Sequence, residues 1–295
     1  MRAKSLITVV AIGLFTANAF ATTYTFSVSD GDWSDSSDWS PNGTPGAGDT
    51  AIIPADTTCH VTSNQVIAVL EVESGGTLRM EGAELLIGLH NNATTSTIDG
   101  LVTFETVSST LAVWRMKGDV TFTGSGTLNA SKGSDPDYAA RFVCSGLDDG
   151  DDRMIVDSGL LARGSIELLV DLTLEGTFRV NDENDVMVLG ETTYFCEEGS
   201  PEILGDGLFD VVDGRLEIQA VDLDHNDGVP KLDMSGGTTQ VVDIGFVVNR
   251  RVNIKMRIEM SGGTLDVDDD FSSTRSMTWC GGTIRVEHGA TFEVN

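Results

Sequence analysis

Three short acidic runs hold most of the residues that could do chemistry. Asp148, Asp149, Asp151 and Asp152 surround Gly150, Asp222, Asp224, Asn226 and Asp227 precede Gly228, and Asp266, Asp268, Asp269 and Asp270 follow a strand-like segment. Hard carboxylate and amide oxygens on a glycine-containing loop suit Ca²⁺, which takes about six to eight oxygen ligands. The middle run fits best, so Asp222, Asp224, Asn226 and Asp227 are the candidate calcium ligands. Its glycine stands one place later than in the D-x-[DN]-x-[DN]-G calcium loop. The competing reading is a solvated acidic face, which a large excess of carboxylates produces without any ligand. Of His60, His90, His225 and His288, only His225 falls inside an acidic run, and the four share no ligand spacing.

The second candidate is a basic strand. In residues 249–260, NRRVNIKMRIEM, alternation would turn Val252, Ile254, Met256, Ile258 and Met260 inward and leave Arg251, Asn253, Lys255, Arg257 and Glu259 outside. Arg251, Lys255 and Arg257 could hold an anionic glycan, or pair in a ladder with acidic side chains such as Asp266 and Asp268 on neighbouring coils. The third candidate is aromatic. Trp33 and Trp39 stand six apart beside a Pro45-Gly-Ala-Gly-Asp49 loop, followed by an apolar strand at Ala51, Ile52 and Ile53. They read either as a cap over the end of the fold or as a platform on which sugar rings stack.

The elements that must carry these groups repeat. GGTLRM (75–80), GSGTLNA (124–130), EGTFRV (175–180), DGRLEI (213–218), SGGTLDV (261–267) and CGGTIRV (280–286) each place a glycine turn before an alternating strand. Leu78, Leu128 and Phe178 lie two steps of 50 residues apart, which fits two coils of about 25 residues per step, and later steps shorten. One turn-plus-strand unit cannot bury its apolar side, but a stack of copies can. No window carries apolar residues at helical spacing over three turns. The predicted fold is therefore all-β: a single-stranded right-handed parallel β-helix (β-solenoid) with an N-terminal cap. Its inward side chains should stack at Leu78, Phe178, Leu216, Leu265 and Ile284. The expected layout is a signal peptide at 1–21, a cap with its first strand at 22–62, and coils at 63–295 interrupted by loops near 131–158 and 221–233.

Arg2 and Lys4, an apolar run from Leu6 to Phe15 and the small-x-small triplet Ala19-Phe20-Ala21 form a secretory signal of bacterial style, cut before Thr22. The expected location is secreted, extracellular or cell-surface. Losing Arg2 and Lys4 takes the formal charge from −28 to −30. Such a surface repels nucleic acid and anionic lipid and attracts divalent cations. Neither nucleic-acid binding nor membrane insertion is expected. Cys59, Cys144, Cys196 and Cys280 allow two disulfides in three connectivities. Sequence gaps of two coils or more weigh against pairing, because stacked coils lie about 4.8 Å apart and a bridge spans at most about 7 Å between Cα atoms. Buried free thiols and disulfides both stay open.

The run Trp33-x5-Trp39, Pro45-Gly-Ala-Gly-Asp49-Thr-Ala-Ile-Ile, Val61-Thr and Leu70-x-Val-x-Ser-Gly-Gly-Thr-Leu78 resembles the opening of secreted bacterial β-solenoid surface proteins. These include autotransporter-like passengers and proteins with the eight-glycine domain. The resemblance spans about residues 29–80 and implies a parallel β-helix in an extracellular setting, with no reaction attached. Parallel β-helices also host polyuronate-cleaving enzymes. Of the Asn-Thr-Asp, Asp-Asp, Gly-His-Gly and Arg-Ile-Lys set of polygalacturonases, this chain has Asp148-Asp149, and its Arg257-Ile258-Glu259 ends in the opposite charge. The expected function is a non-catalytic structural or adhesive module whose partner is an extracellular glycan, a surface polymer or further solenoid copies. The alternative is a carbohydrate-active enzyme or glycan-binding protein working in a solenoid groove.

Overall fold

The computed structural model describes residues 21–108, 110–131, 140–145, 152–190 and 203–218, and, toward the C-terminus, 231–234, 238–241, 252–254, 257–260, 264–267, 271–273, 277–281, 283–286 and 292–294. Among the described residues one helical turn, Ser36–Asp38, accompanies strands throughout.

The chain visits three sheets in rotation. Thr50–Ile53, Thr58–Val61 and Gln65–Ile67 make one coil, and Val69–Val72, Thr77–Glu81 and Glu84–Gly88 the next. Stacking sends the first strand of each coil to a nine-stranded sheet (face A), the second to an eleven-stranded sheet (face B) and the third to a ten-stranded sheet (face C). Neighbouring coils pair in parallel, as in Thr50 with Val69, Leu78 with Val102 and Trp114 with Phe142. The molecule is a parallel β-solenoid, and the described strands form no closed barrel. After the third strand, the late segments Val252–Ile254, Phe271–Ser273 and Phe292–Val294 form a three-stranded sheet of their own.

The 50-residue spacing has a direct meaning. Inside face B, Leu78, Val102, Leu128, Ala162 and Phe178 are successive register partners. The first 50 residues hold coils of 24 and 26, and the second 50 hold coils of 34 and 16. Leu78, Phe178, Leu216 and Leu265 are buried and Ile284 packs against the core. Leu216, Leu265 and Ile284 belong to face C, so the glycine-led phrase marks face B early and face C later.

The glycine is there for closeness. At the corner between faces A and B the Leu101 N–H donates to Gly76 O, and the Thr127 N–H to Gly100 O, each at 3.0 Å. A Cβ on Gly100 would sit 2.4 Å from the carbonyl oxygens of Glu73 and Gly76, and one on Gly126 2.3 Å from Gly100 O. Coils meet backbone to backbone here, so any side chain would hold them apart.

The interior is filled by large apolar groups. Trp114 stacks on Phe122 at 5.0 Å, and Phe104 meets Trp114 and Phe142 edge-on at 5.1 and 5.4 Å. Each fully buried side chain of this size contributes about 1.5–3 kcal/mol.

Several sequence readings change. Residues 131–158 are not one loop: Ala140–Cys144 lies on face C and Arg153–Val156 on face A. Lys231–Met234, placed at the end of the second loop, is a face B strand. The run 249–260 is not one strand, because Val252–Ile254 and Arg257–Met260 belong to different sheets. Cys144 is disulfide-bonded, which corrects the argument against pairing; Cys59 is a buried free thiol and Cys280 an exposed one. Burial pushes the Cys59 thiol well above its ordinary range, with the Asp32 and Asp38 charges adding to the shift, so it is an inert core group.

Candidate functional site

The cap comes first. Phe26, Trp33 and Trp39 are 1%, 0% and 1% exposed and fill the end of the interior. Trp39 meets Phe26 and Trp33 edge-on at 5.2 and 5.0 Å, and its Nε1–H donates to Trp33 O at 2.8 Å. Rings with no exposed face cannot stack on a sugar, so the platform reading of Trp33 and Trp39 is corrected to a packing role. Beneath them Ile53 points inward, while Ile52, expected beside it, lies on the outer side of face A and is half-buried. Trp39–Ser40 pairs antiparallel with Thr23–Phe26 and ends face A. This covers the Thr25–Phe26 part of an edge that would otherwise recruit another strand.

The acidic residues of the cap act as hydrogen-bond acceptors within it. Asp32 Oδ1 accepts from the Ser34 N–H (2.8 Å) and Ser34 Oγ–H (2.5 Å), and Oδ2 accepts from Thr62 Oγ1–H (2.7 Å). Burial works to raise the Asp32 carboxyl, but these bonds and the nearby His60 hold it below the usual carboxylate range. Asp35 caps the helical turn by accepting from Ser37, whose hydroxyl and N–H lower its carboxyl as well.

Outside, face B carries a polar ladder. His60 Nδ1 lies 2.7 Å from Glu81 Oε1, and its Nε2 lies 3.5 Å from Asp30 Oδ1. Arg79 donates through Nη2 to both Glu105 oxygens at 2.8 and 2.7 Å. The hydrogen bond to Glu105 raises the Arg79 guanidinium above its ordinary range; burial opposes this, and the charges of Glu105, Glu81 and Asp30 reinforce it. Farther along, Arg163 Nε–H donates to Asn129 Oδ1 and Arg179 Nε–H to Asp210 Oδ2, both at 2.7 Å. Face C has Arg115 on Glu84, with Nε–Oε1 2.9 Å and Nη2–Oε2 3.1 Å, and Arg141 Nε on the buried Glu167 Oε2. Face A has Arg153 and Asp171 3.6 Å apart.

The sequence-derived sites fare unevenly. Asp222, Asp224, Asn226 and Asp227 lie outside the described residues, as do Arg251 and Lys255. Arg257 stands on face B in register with Lys231, and two places on Glu259 is in register with Asp233. Asp266, the suggested ladder partner of the basic run, sits on face C in register with Arg285 and Gln240. Arg257 and Asp266 therefore occupy different faces. In the first acidic run, Asp152 is 7% exposed and clamps backbone. It accepts from the Gly118 N–H at 2.5 Å, the Ser145 N–H at 2.8 Å and Ser145 Oγ–H at 2.5 Å. No group of three or more His, Cys, Asp or Glu arranged to hold a metal occurs among the described residues.

The His60 cluster was not visible as a motif. Its members come from successive coils, 19 and 21 residues apart between His60, Arg79 and Glu81. Aligning residues by coil rather than by motif would have found it. No protein-family model, curated protein or solved structure matches the chain.

Proposed function

We propose that this chain is a non-catalytic, secreted or cell-surface-associated structural or adhesive module. Its leader is removed on export, and its outer faces meet an extracellular glycan, a surface polymer or further copies of itself. The observation that carries the reading is the distribution of carboxylates. Glu81, Glu105 and Asp210 on face B, Glu84, Glu167 and Glu217 on face C, and Asp171 on face A each bond a cation of the same or a neighbouring coil. Hydrolysis of a polysaccharide in most enzyme families uses a pair of carboxylates held at a set separation across one groove, one of them able to carry a proton. These seven carboxylates are spread over three sides, and each is paired with an arginine. The resemblance of residues 29–80 to bacterial surface solenoids points the same way.

The test has two arms. Mature protein is offered to insoluble plant, fungal and bacterial polysaccharides, and the bound fraction and released reducing ends are measured together. Retention without release of sugar supports the module. Turnover of any polymer, lost on replacing face B carboxylates, would replace it with the carbohydrate-active reading.

A further inference from the structure

The first strand begins in a ready-made receptor for a positive charge. The Thr22 N–H donates to Asp49 Oδ1 at 2.8 Å, and the Thr22 carbonyl accepts from the Thr50 N–H at 2.9 Å. The other oxygen of the same carboxylate, Oδ2, accepts from the Gly46 N–H at 3.0 Å. The Asp49 N–H goes back to Gly46 O at 3.0 Å, and the Asp49 carbonyl accepts from Ala68 and Val69 at 3.1 and 3.2 Å. One aspartate thus joins the start of face A, the Pro45–Asp49 loop and the coil that follows.

The start of this strand is also held on one edge only. Thr25 is paired on both sides, with Ser40 and with Ile52, whereas Thr23 and Tyr24 pair only with Thr50 and Ala51 among the strands. A terminal strand held on one edge frays unless something ties it down. Ala21, just before the tie, is exposed, and Thr22 is half-buried.

Thr22 is the residue at which the expected leader ends. We propose that hydrolysis of the Ala21–Thr22 bond turns this N–H into an α-ammonium seated on Asp49, so that processing itself completes the latch of the N-terminal cap. Water is the co-reactant, and the host's export peptidase supplies the catalysis. The C–N bond breaks, the water oxygen ends on the Ala21 carboxylate, and the Thr22 amine takes up a proton at neutral pH. The 2.8 Å separation already lies within the about 2.7–2.9 Å range of a charged N–H on a carboxylate. The bond to the carboxylate is charge-assisted before cleavage, and the ammonium adds the attraction of a full positive charge at the same place. The inference rests on reading residues 1–21 as a removed leader.

Three forms of the mature protein test it: one starting at Thr22 with a free amine, the same protein Nα-acetylated, and one that retains Ala21 and is Nα-acetylated on it. All three keep the Thr22 N–H, and only the first sets a charge against Asp49. The free form should melt about 2–4 °C higher than the other two. The Gly46 and Thr50 amides should exchange roughly tenfold more slowly in it. Both differences should shrink at about 0.5 M NaCl and vanish with Asp49→Asn. Equal midpoints and equal exchange in the three forms overturn the latch. So does a difference that survives Asp49→Asn, since the charge would then act elsewhere. Sequencing the N-terminus of protein exported by a bacterial host tests the leader separately. A start other than Thr22 removes that reading while the comparison of the three forms stands on its own.

Discussion

Asp32 and the two cap tryptophans show how much of this chain's chemistry is spent on holding itself together. The Asp32 carboxyl is lowered in the fold, so its contribution is present above the unfolded value of about 3.9 and is lost as pH falls through the folded value. Asp32→Asn should lower the thermal midpoint at pH 7, and the gap to wild type should close by about pH 2, as read by circular dichroism. The tryptophans differ in their ring nitrogens. Trp39 Nε1 has a carbonyl partner, whereas Trp33 Nε1 is buried with no protein acceptor. Trp39→Phe should therefore cost about 1 kcal/mol more than Trp33→Phe in chemical denaturation, although the two remove the same volume. Either residue changed to Ala should cost about 3–5 kcal/mol. The pair was legible in the sequence as a cap or a sugar platform, and burial of both rings decides for the cap. The charge of His60's neighbourhood was not, since Asp30, His60, Arg79 and Glu81 meet only once coil length is fixed.

The strands were legible as alternation, and the corners were not, for a physical reason. Along residues 166–174 the inward positions are Ile166, Leu168, Val170, Leu172 and Leu174, so the period of two runs on through the bend at Val170. A face C strand and a face A strand thus read as one. The same blindness joined Val252–Ile254 to Arg257–Met260. Burial of outward residues was also hidden: Glu167 and Leu169 are each 2% exposed although they alternate with the core. What the sequence did announce was the glycine corner, and its contacts make the strongest prediction about an element. Gly100→Ala pushes a methyl carbon to 2.4 Å from two carbonyl oxygens and must spread the coils. It should cost about 1–3 kcal/mol by denaturant titration. Gly46→Ala meets nothing nearer than 3.8 Å, at Asp49 Oδ2, and should be close to neutral. Equal costs at the two positions would mean that the glycines serve chain flexibility rather than coil contact.

Across the whole molecule the sign of the charge was legible and its arrangement was not. Acidic residues outnumber basic ones 46 to 18, and loss of the leader would widen the gap by Arg2 and Lys4. Several arginines are placed against carboxylates, as Arg79 with Glu105, Arg115 with Glu84 and Arg179 with Asp210. They can neutralise fewer than half of the acids. Like charges left on stacked coils lie about 5 Å apart and repel by about 1–3 kcal/mol per unscreened pair at effective dielectrics of 20 to 80. Repulsion should therefore outweigh the exposed pairs of the ladders, each worth at most about 1 kcal/mol. Raising NaCl from about 10 mM to about 150 mM shortens the screening length from roughly 30 Å to 8 Å and should raise the thermal midpoint. A midpoint that falls instead would mean that the ladders dominate. Calcium chloride at matched ionic strength distinguishes screening from binding. Diffuse charge predicts the same rise with either salt. A larger rise with Ca²⁺, abolished by Asp224→Asn with Asp227→Asn, would add mass-action stabilisation to the screening and mark residues 222–228 as a cation site.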